Sequence, residues 1–254
     1  MRGRTALRLV ENSIAIPIRT ATPSNPVNWL IPSPHRGPGV ESLPDLDGGV
    51  MAKVPQSCRS IDEAVDRIVE AVQNLSSPSR PIIGITGAVG SGKSTLASRL
   101  GGTIVSTDNY LPDYARISPA RRDEPAEADL HGLLANLKQL KETGRSVLPV
   151  WCFHEHRRIG EREVHAEGQV VCEGLFALHP HLASAVDLRV LVRAPAPDRW
   201  SRWARLERDN ERGWGVERAR EHFDHVADPT FERYLPDYMA GLDFLVDNAT
   251  QDQP

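Results

Sequence analysis

One stretch constrains the fold of this chain more than any other: Pro81-Ile-Ile-Gly-Ile-Thr-Gly-Ala-Val-Gly-Ser-Gly-Lys-Ser-Thr95. From Gly87 to Ser94 it fits G-x-x-x-x-G-K-[ST], with a strand-type run before it (Ile82, Ile83, Ile85) and a helix-type run after it (Leu96, Ala97, Leu100). Such a stretch is a phosphate cradle. Gly87, Gly90 and Gly92 permit torsions and close approach that a side chain would block, so successive N–H groups can converge on phosphate oxygens. The whole turn (Gly87, Ala88, Val89, Gly90, Ser91, Gly92, Lys93, Ser94 and Thr95) is therefore predicted to bind a nucleotide. Lys93 supplies a point charge at the β/γ-phosphates and Ser94 a hydroxyl for Mg²⁺. The helix starting near Ser94 turns its positive end to the anion.

The rest of the chain supplies a scaffold for that turn. Further strand candidates are Thr103-Ile-Val-Ser106, Gln169-Val-Val-Cys-Glu173, Asp187-Leu-Arg-Val-Leu-Val192 and Leu242-Asp-Phe-Leu-Val-Asp247. Helical segments separate them. Ile61, Ala64, Val65, Ile68, Val72 and Leu75 recur at helical spacing after the capping box Ser60-Ile-Asp-Glu63, and that helix ends near Ser76-Ser-Pro78. Leu130, Leu133, Leu134, Leu137 and Leu140 mark another helix, Pro197 and Asp198 open an Arg-rich one running toward Gly213, and two shorter pieces follow. This alternation predicts an α/β P-loop fold, a mostly parallel five-stranded sheet flanked by helices. Val147 to Phe153, a charged loop from His154 to Arg158 and Glu163-Val-His165 form a small β excursion.

Residues 1–57 differ in kind, being rich in proline and without sustained periodicity, and are predicted to be a disordered extension before a kinase domain over 58–254. A transit peptide and an internal start at Met51 are both open readings of that stretch. A net charge of −4 gives no reason to expect nucleic acid, and the absence of an apolar run of about 18 residues none to expect a membrane span. The 3 cysteines form no C-x-x-C pair, which suits a reducing cytoplasm. His154, His156, His179 and His181 lack cysteine companions at zinc-ligand spacing and read as loop residues.

A phosphate cradle serves kinases, GTPases and motors alike. Neither an N-K-x-D-like guanine reader nor an L-S-G-G-Q-type signature is present, while acids stand at the ends of two strands (Asp108 just past one, Glu173 closing another) and an Arg-rich segment follows. That set suits phosphoryl transfer to a small acceptor.

From Ile82 to Asp247 the chain resembles the uridine kinase, phosphoribulokinase and pantothenate kinase group, most closely its uridine kinase branch. The resemblance rests on Gly87 to Thr95, Ser106-Thr-Asp-Asn-Tyr110, Arg122-Asp-Glu-Pro125 with Asp129, Pro149-Val-Trp-Cys-Phe-His-Glu-His-Arg-Arg158, Val171-Cys-Glu-Gly-Leu-Phe176, Arg208-Asp-Asn-Glu-Arg-Gly213 and Pro229-Thr-Phe231, in that order. It implies an ATP- and Mg²⁺-dependent kinase that phosphorylates a primary hydroxyl, with Asp108 as general base, Lys93 as its catalytic partner, and Ser94, Asp108 and Glu173 around the metal. Asp123 falls where ribose hydroxyls are held, His156 where a base is contacted, and Trp151 where a tyrosine is usual. Tyr110 and His222 join the expected acceptor site, His222 in place of a glutamine. Arg205, Arg208 and Arg212 are expected on one face of a helix acting as a lid, Arg205 toward the acceptor and Arg208 and Arg212 toward ATP.

The departures are Trp151-Cys152-Phe153 for Tyr-Asp-Phe, an aromatic pair reduced to Tyr110-Leu111, and His222. They bear on base identity and leave phosphoryl transfer untouched. The acceptor implied is uridine or cytidine, with pantothenate, a sugar, a sugar phosphate or glycerate as alternatives, and the family implies a homo-oligomer. An ATP-hydrolysing regulatory protein without a small acceptor is the reading from another class. It is the better one if Asp123, Trp151 and His156 do not converge on a pocket beside the γ-phosphate.

Overall fold

The computed structural model describes residues 53–75 and 80–250; residues 1–52 of the predicted extension over 1–57 lie outside them, and the first helix, expected to end near Ser76-Ser-Pro78, ends at Gln73. Strands β1 (Gln56–Cys58), β2 (Ile82–Thr86), β3 (Thr103–Ser106), β6 (Val170–Glu173), β7 (Leu188–Arg193) and β8 (Phe244–Asp247) form one sheet in the order β1-β8-β7-β2-β6-β3. Every pairing in it is parallel. The sheet has 6 strands where the sequence pattern predicts five. The added strand, β1, is too short and too polar on one side to announce itself, and it is recruited by pairing with β8. Strand β1 spans the expected junction between residues 57 and 58.

Helices cover both faces, which is why the central strands read as unbroken apolar runs. β2 is buried at every position. On one face, α1 (Ile61–Gln73) and α2 (Lys93–Leu100) pack Ile61, Ala64, Ile68, Leu96 and Ala97 against Ile83, Ile85, Val190 and Phe244. On the other, α3 (Leu130–Thr143) packs Leu133, Leu137 and Leu140 against Ile82, Val170 and Cys172. The α1 cap differs slightly from expectation. Ser60 Oγ accepts from the Glu63 N–H at 3.2 Å, but Glu63 receives the N–H of Arg59, one residue earlier than Ser60.

The excursion is an antiparallel hairpin, β4 (Arg145–Cys152) and β5 (Arg157–His165), with an irregularity between Val150 and Trp151. The C-terminal third carries α4 (Ala196–Arg208), α5 (Val216–His222) and α6 (Asp228–Met239). The two shorter pieces predicted there run together through a π turn, Phe223–Ala227. No helix among the described residues is long and apolar enough to cross a membrane.

Register explains how distant residues meet. Ile85, Glu173 and Ser106 lie in one row across β2, β6 and β3, so the segments leaving these strands emerge side by side. They emerge at the carboxyl ends of the strands, where open α/β sheets place ligands.

Candidate active site

The segment after β2 is the phosphate cradle. Gly90 and Gly92 hold φ of +74° and +106°, and a Cβ on Gly90 would run into the Arg199 carbonyl while one on Gly92 would meet the Asn248 amide. The turn is braced from outside. Arg202 donates to the Gly90 carbonyl at 3.1 Å and to the Asn248 carbonyl at 2.7 Å, and Asn248 donates to the Ser91 carbonyl at 2.7 Å. These contacts consume the carbonyls of Gly90 and Ser91. Lys93 is buried and donates to the Ala88 carbonyl at 3.1 Å. Burial lowers its pKa, opposed by the carboxylates of Glu173 and Asp108.

Beside the cradle, the Ser94 hydroxyl donates to Glu173 Oε2 at 3.0 Å. Asp108 sits in a 3-10 turn, Thr107–Tyr110, whose start is capped by Ser106 Oγ accepting from the Asp108 N–H. Its side chain remains about a quarter exposed and faces Arg212 Nη1 at 3.7 Å. Burial raises its pKa above the ordinary carboxylate range; Arg212 opposes that rise and Glu173 adds to it. Ser94, Asp108 and Glu173 are hard oxygen donors, and no group of three His, Cys, Asp or Glu converges among the described residues. Such a set fits Mg²⁺ shared with phosphate oxygens rather than a site closed by protein alone.

A cavity of about 430 Å³ runs from this cluster to an aromatic wall. Gly90, Gly92, Lys93, Ser94 and Asp108 line one end, and Tyr114, Asp123, Trp151, His156, Trp214 and His222 line the other. Tyr114 stacks on His156 at 5.6 Å and meets Trp151 edge-on at 5.2 Å. The Trp151 N–H donates to Asn109 Oδ1 at 3.1 Å, which ties the hairpin to the turn that carries Asp108. Asp123 and His222 are both buried, with His222 Nε2 at 3.1 Å from Asp123 Oδ2. The predicted convergence of Asp123, Trp151 and His156 beside the cradle is therefore present.

Three expectations need correction. Tyr110 does not line the cleft: it is buried in the core, with its hydroxyl donating to Asn136 Oδ1 at 2.8 Å. Tyr114, four residues further on, takes the aromatic position instead. Arg208 is exposed and outside the cavity lining, while Arg205 and Arg212 line it. The three arginines do not share a helical face, because α4 ends at Arg208 and the chain turns through Asn210 (φ +57°) before Arg212. Glu207, on the same helix, is buried. It accepts from Trp203 Nε1 at 3.0 Å and from the N–H groups of Trp214 and Gly215 at 3.1 Å each.

Sequence reasoning missed Tyr114, Trp203, Trp214, Arg202 and Glu207. The only signal in the chain was an unusual density of tryptophan around the Arg-rich segment, which composition alone assigns to a core.

Comparison with known proteins agrees with this geometry. Residues 113–252 match the model of the phosphoribulokinase/uridine kinase family. A uridine kinase of Pasteurella multocida is 32% identical over 195 residues, covering 69% of this chain and 89% of that protein. An Arabidopsis thaliana protein named inorganic pyrophosphatase TTM2 is 32% identical over 142 residues; the match covers 52% of this chain but spans only 21% of the plant protein. Among solved structures, a candidate fructose transport system kinase from Silicibacter sp. TM1040 superposes with a TM-score of 0.58 at 22% identity, over 73% of this chain and 98% of that one, which supports the fold. By matched residues and by identity over most of a relative's length, the chain belongs to the phosphoribulokinase/uridine kinase family of P-loop kinases.

Proposed function

We propose that this ATP-dependent phosphotransferase acts on the 5′-hydroxyl of a pyrimidine nucleoside. The observation that carries the reading is the pairing, in one cavity, of a phosphate cradle with an aromatic wall that has a buried carboxylate beside it. A planar base is suited to the faces of Tyr114, Trp151 and His156. Asp123 gives only Oδ2 to His222, so Oδ1 is open to a ribose hydroxyl among the described residues.

Asp108, at the phosphate end of the cleft and facing Arg212, is the natural acceptor of the hydroxyl proton as the new O–P bond forms and ADP leaves. Lys93 and the cradle amides neutralise charge on the phosphates, and Arg205 and Arg212 close over them from the segment around the end of α4. Ser94, Asp108 and Glu173 would hold Mg²⁺, which when bound neutralises phosphate charge.

The test is ADP release by the purified protein with ATP and Mg²⁺ across uridine, cytidine, adenosine, pantothenate, ribulose 5-phosphate, glycerate and simple sugars. Release dependent on pyrimidine nucleosides is the expected result. Dependence on another acceptor moves the substrate while keeping the chemistry, and ATP hydrolysis indifferent to every acceptor favours a regulatory ATPase.

A further inference from the structure

The loop that joins α4 to α5, residues 209–215, carries Arg212 to the cleft, and one side chain closes that loop on itself. The backbone leaves α4 at Glu207, whose carbonyl accepts from the Asn210 N–H at 3.1 Å, while the Leu206 carbonyl accepts from Glu211 at 2.9 Å. It returns to the same residue. Glu207 Oε2 accepts from the N–H groups of Trp214 and Gly215 at 3.1 Å each, and Oε1 is fixed by Trp203 Nε1 at 3.0 Å. Among the described residues those two backbone N–H groups have no other acceptor. The tight path needs positive φ, taken at Asn210 (+57°), Gly213 (+73°) and Gly215 (+80°).

Glu207 is 5% exposed, and its three partners are all donors. A carboxylate only accepts, so the socket matches it; a glutamine of the same shape would turn its own N–H₂ group on one of the three. A glycine ends a helix without burying any charge, so stopping α4 does not by itself call for Glu207. What the closed loop holds is Arg212. Its Nη1 lies 3.7 Å from Asp108 Oδ2, and its guanidinium carbon sits 4.0 Å over the ring centroid of Phe153, in the turn of the β4–β5 hairpin. Gly213 backs onto the next hairpin residue, His154, whose Nδ1 would lie 2.9 Å from a Cβ there. A long side chain keeps such a place only if the backbone beneath it is fixed.

We propose that Glu207 is a positioning residue of this kinase: by closing the loop it sets Arg212 beside Asp108, where charge develops as the O–P bond forms. The proposal rests on the lid role read for Arg212 above. Both Glu207 oxygens are engaged with the protein, so its effect on catalysis passes through the arginine. A misplacement of about 1 Å in such a group costs on the order of 10²-fold in rate.

The experiment is a double-mutant cycle on kcat, with ATP and Mg²⁺ at saturation, in the full chain carrying Glu207→Gln, Arg212→Gln or both. Uridine is the acceptor, or whichever member of the panel above is turned over, or water if none is. Arg212→Gln should lower kcat by roughly 10²- to 10³-fold, and Glu207→Gln by about 10- to 10²-fold. The pair should fall no further than Arg212→Gln alone, because without the arginine there is nothing left to position. Equal proportional losses from Glu207→Gln with and without Arg212 overturn the proposal and assign Glu207 to stability alone; so does unchanged kcat in Glu207→Gln. Full activity of Arg212→Gln overturns the lid reading, and this proposal with it. Amide hydrogen exchange on the unaltered protein covers the case in which Glu207→Gln does not fold. The Trp214 and Gly215 amides should exchange more slowly than those of Arg212 and Gly213, which have no acceptor among the described residues. Equally fast exchange at all four overturns the proposal.

Discussion

The two ends of the cleft are built on opposite principles. At the phosphate end, one contiguous segment between β2 and α2 forms the turn; Arg202, Asn248 and the Ser94–Glu173 contact brace it, while Ser91 Oγ is buried without a partner. At the acceptor end, side chains from the segment after β3, the β4–β5 hairpin and the region of α5 assemble one wall, and Arg122 and His156 carry buried atoms without partners. The first end is local in sequence and braced from outside by Arg202 and Asn248. The second is left polar and unfinished, a form expected of a surface that selects among acceptors.

The sharpest way to break this contrast is Asp108→Asn, at the phosphate end. Turnover should fall by roughly 10²- to 10⁴-fold, with ATP affinity little altered by equilibrium binding. Unchanged turnover would move the base elsewhere in the cleft.

Next in size is Asp123→Asn, which weakens the acceptor end alone. The acceptor KM should rise by about 10- to 100-fold, the scale of a lost charge-assisted hydrogen bond, while the KM for ATP holds. A rise in both constants would mean that the ends are one energetic unit.

A subtler test uses pH. Asp108 must be ionised to take a proton, and its pKa lies above the ordinary carboxylate range, so kcat/KM should rise with pH along an acidic limb. Arg212 lowers that pKa, so Arg212→Gln should move the limb to higher pH. A limb that stays put or moves down would separate Arg212 from the base.

The smallest expected effect concerns the corrected residue. Tyr110→Phe removes the hydrogen bond to Asn136 and should cost about 1 kcal/mol of stability in denaturant unfolding. Tyr114→Ala should instead raise the acceptor KM. The reverse pattern would return Tyr110 to the site.

Much of this protein was legible before any coordinates. The cradle, the strand ends carrying Asp108 and Glu173, the helices around the core and the hairpin all follow from local pattern, because each is specified by residues close together in sequence or by apolar periodicity. Strand β1 was not, since its order comes from pairing with β8 far along the chain. The assignment of Tyr110 failed because burial depends on α3 packing over it. The lid arginines were displaced because a buried Glu207, bonded to Trp203 and to the backbone at Trp214 and Gly215, turns the chain after α4. By itself, then, the sequence determined that this chain builds a phosphate-binding turn on a parallel sheet, for a site made of consecutive backbone amides needs little else. Which side chains face the acceptor was decided only by the tertiary structure, because that wall exists solely where separate segments are brought together by packing.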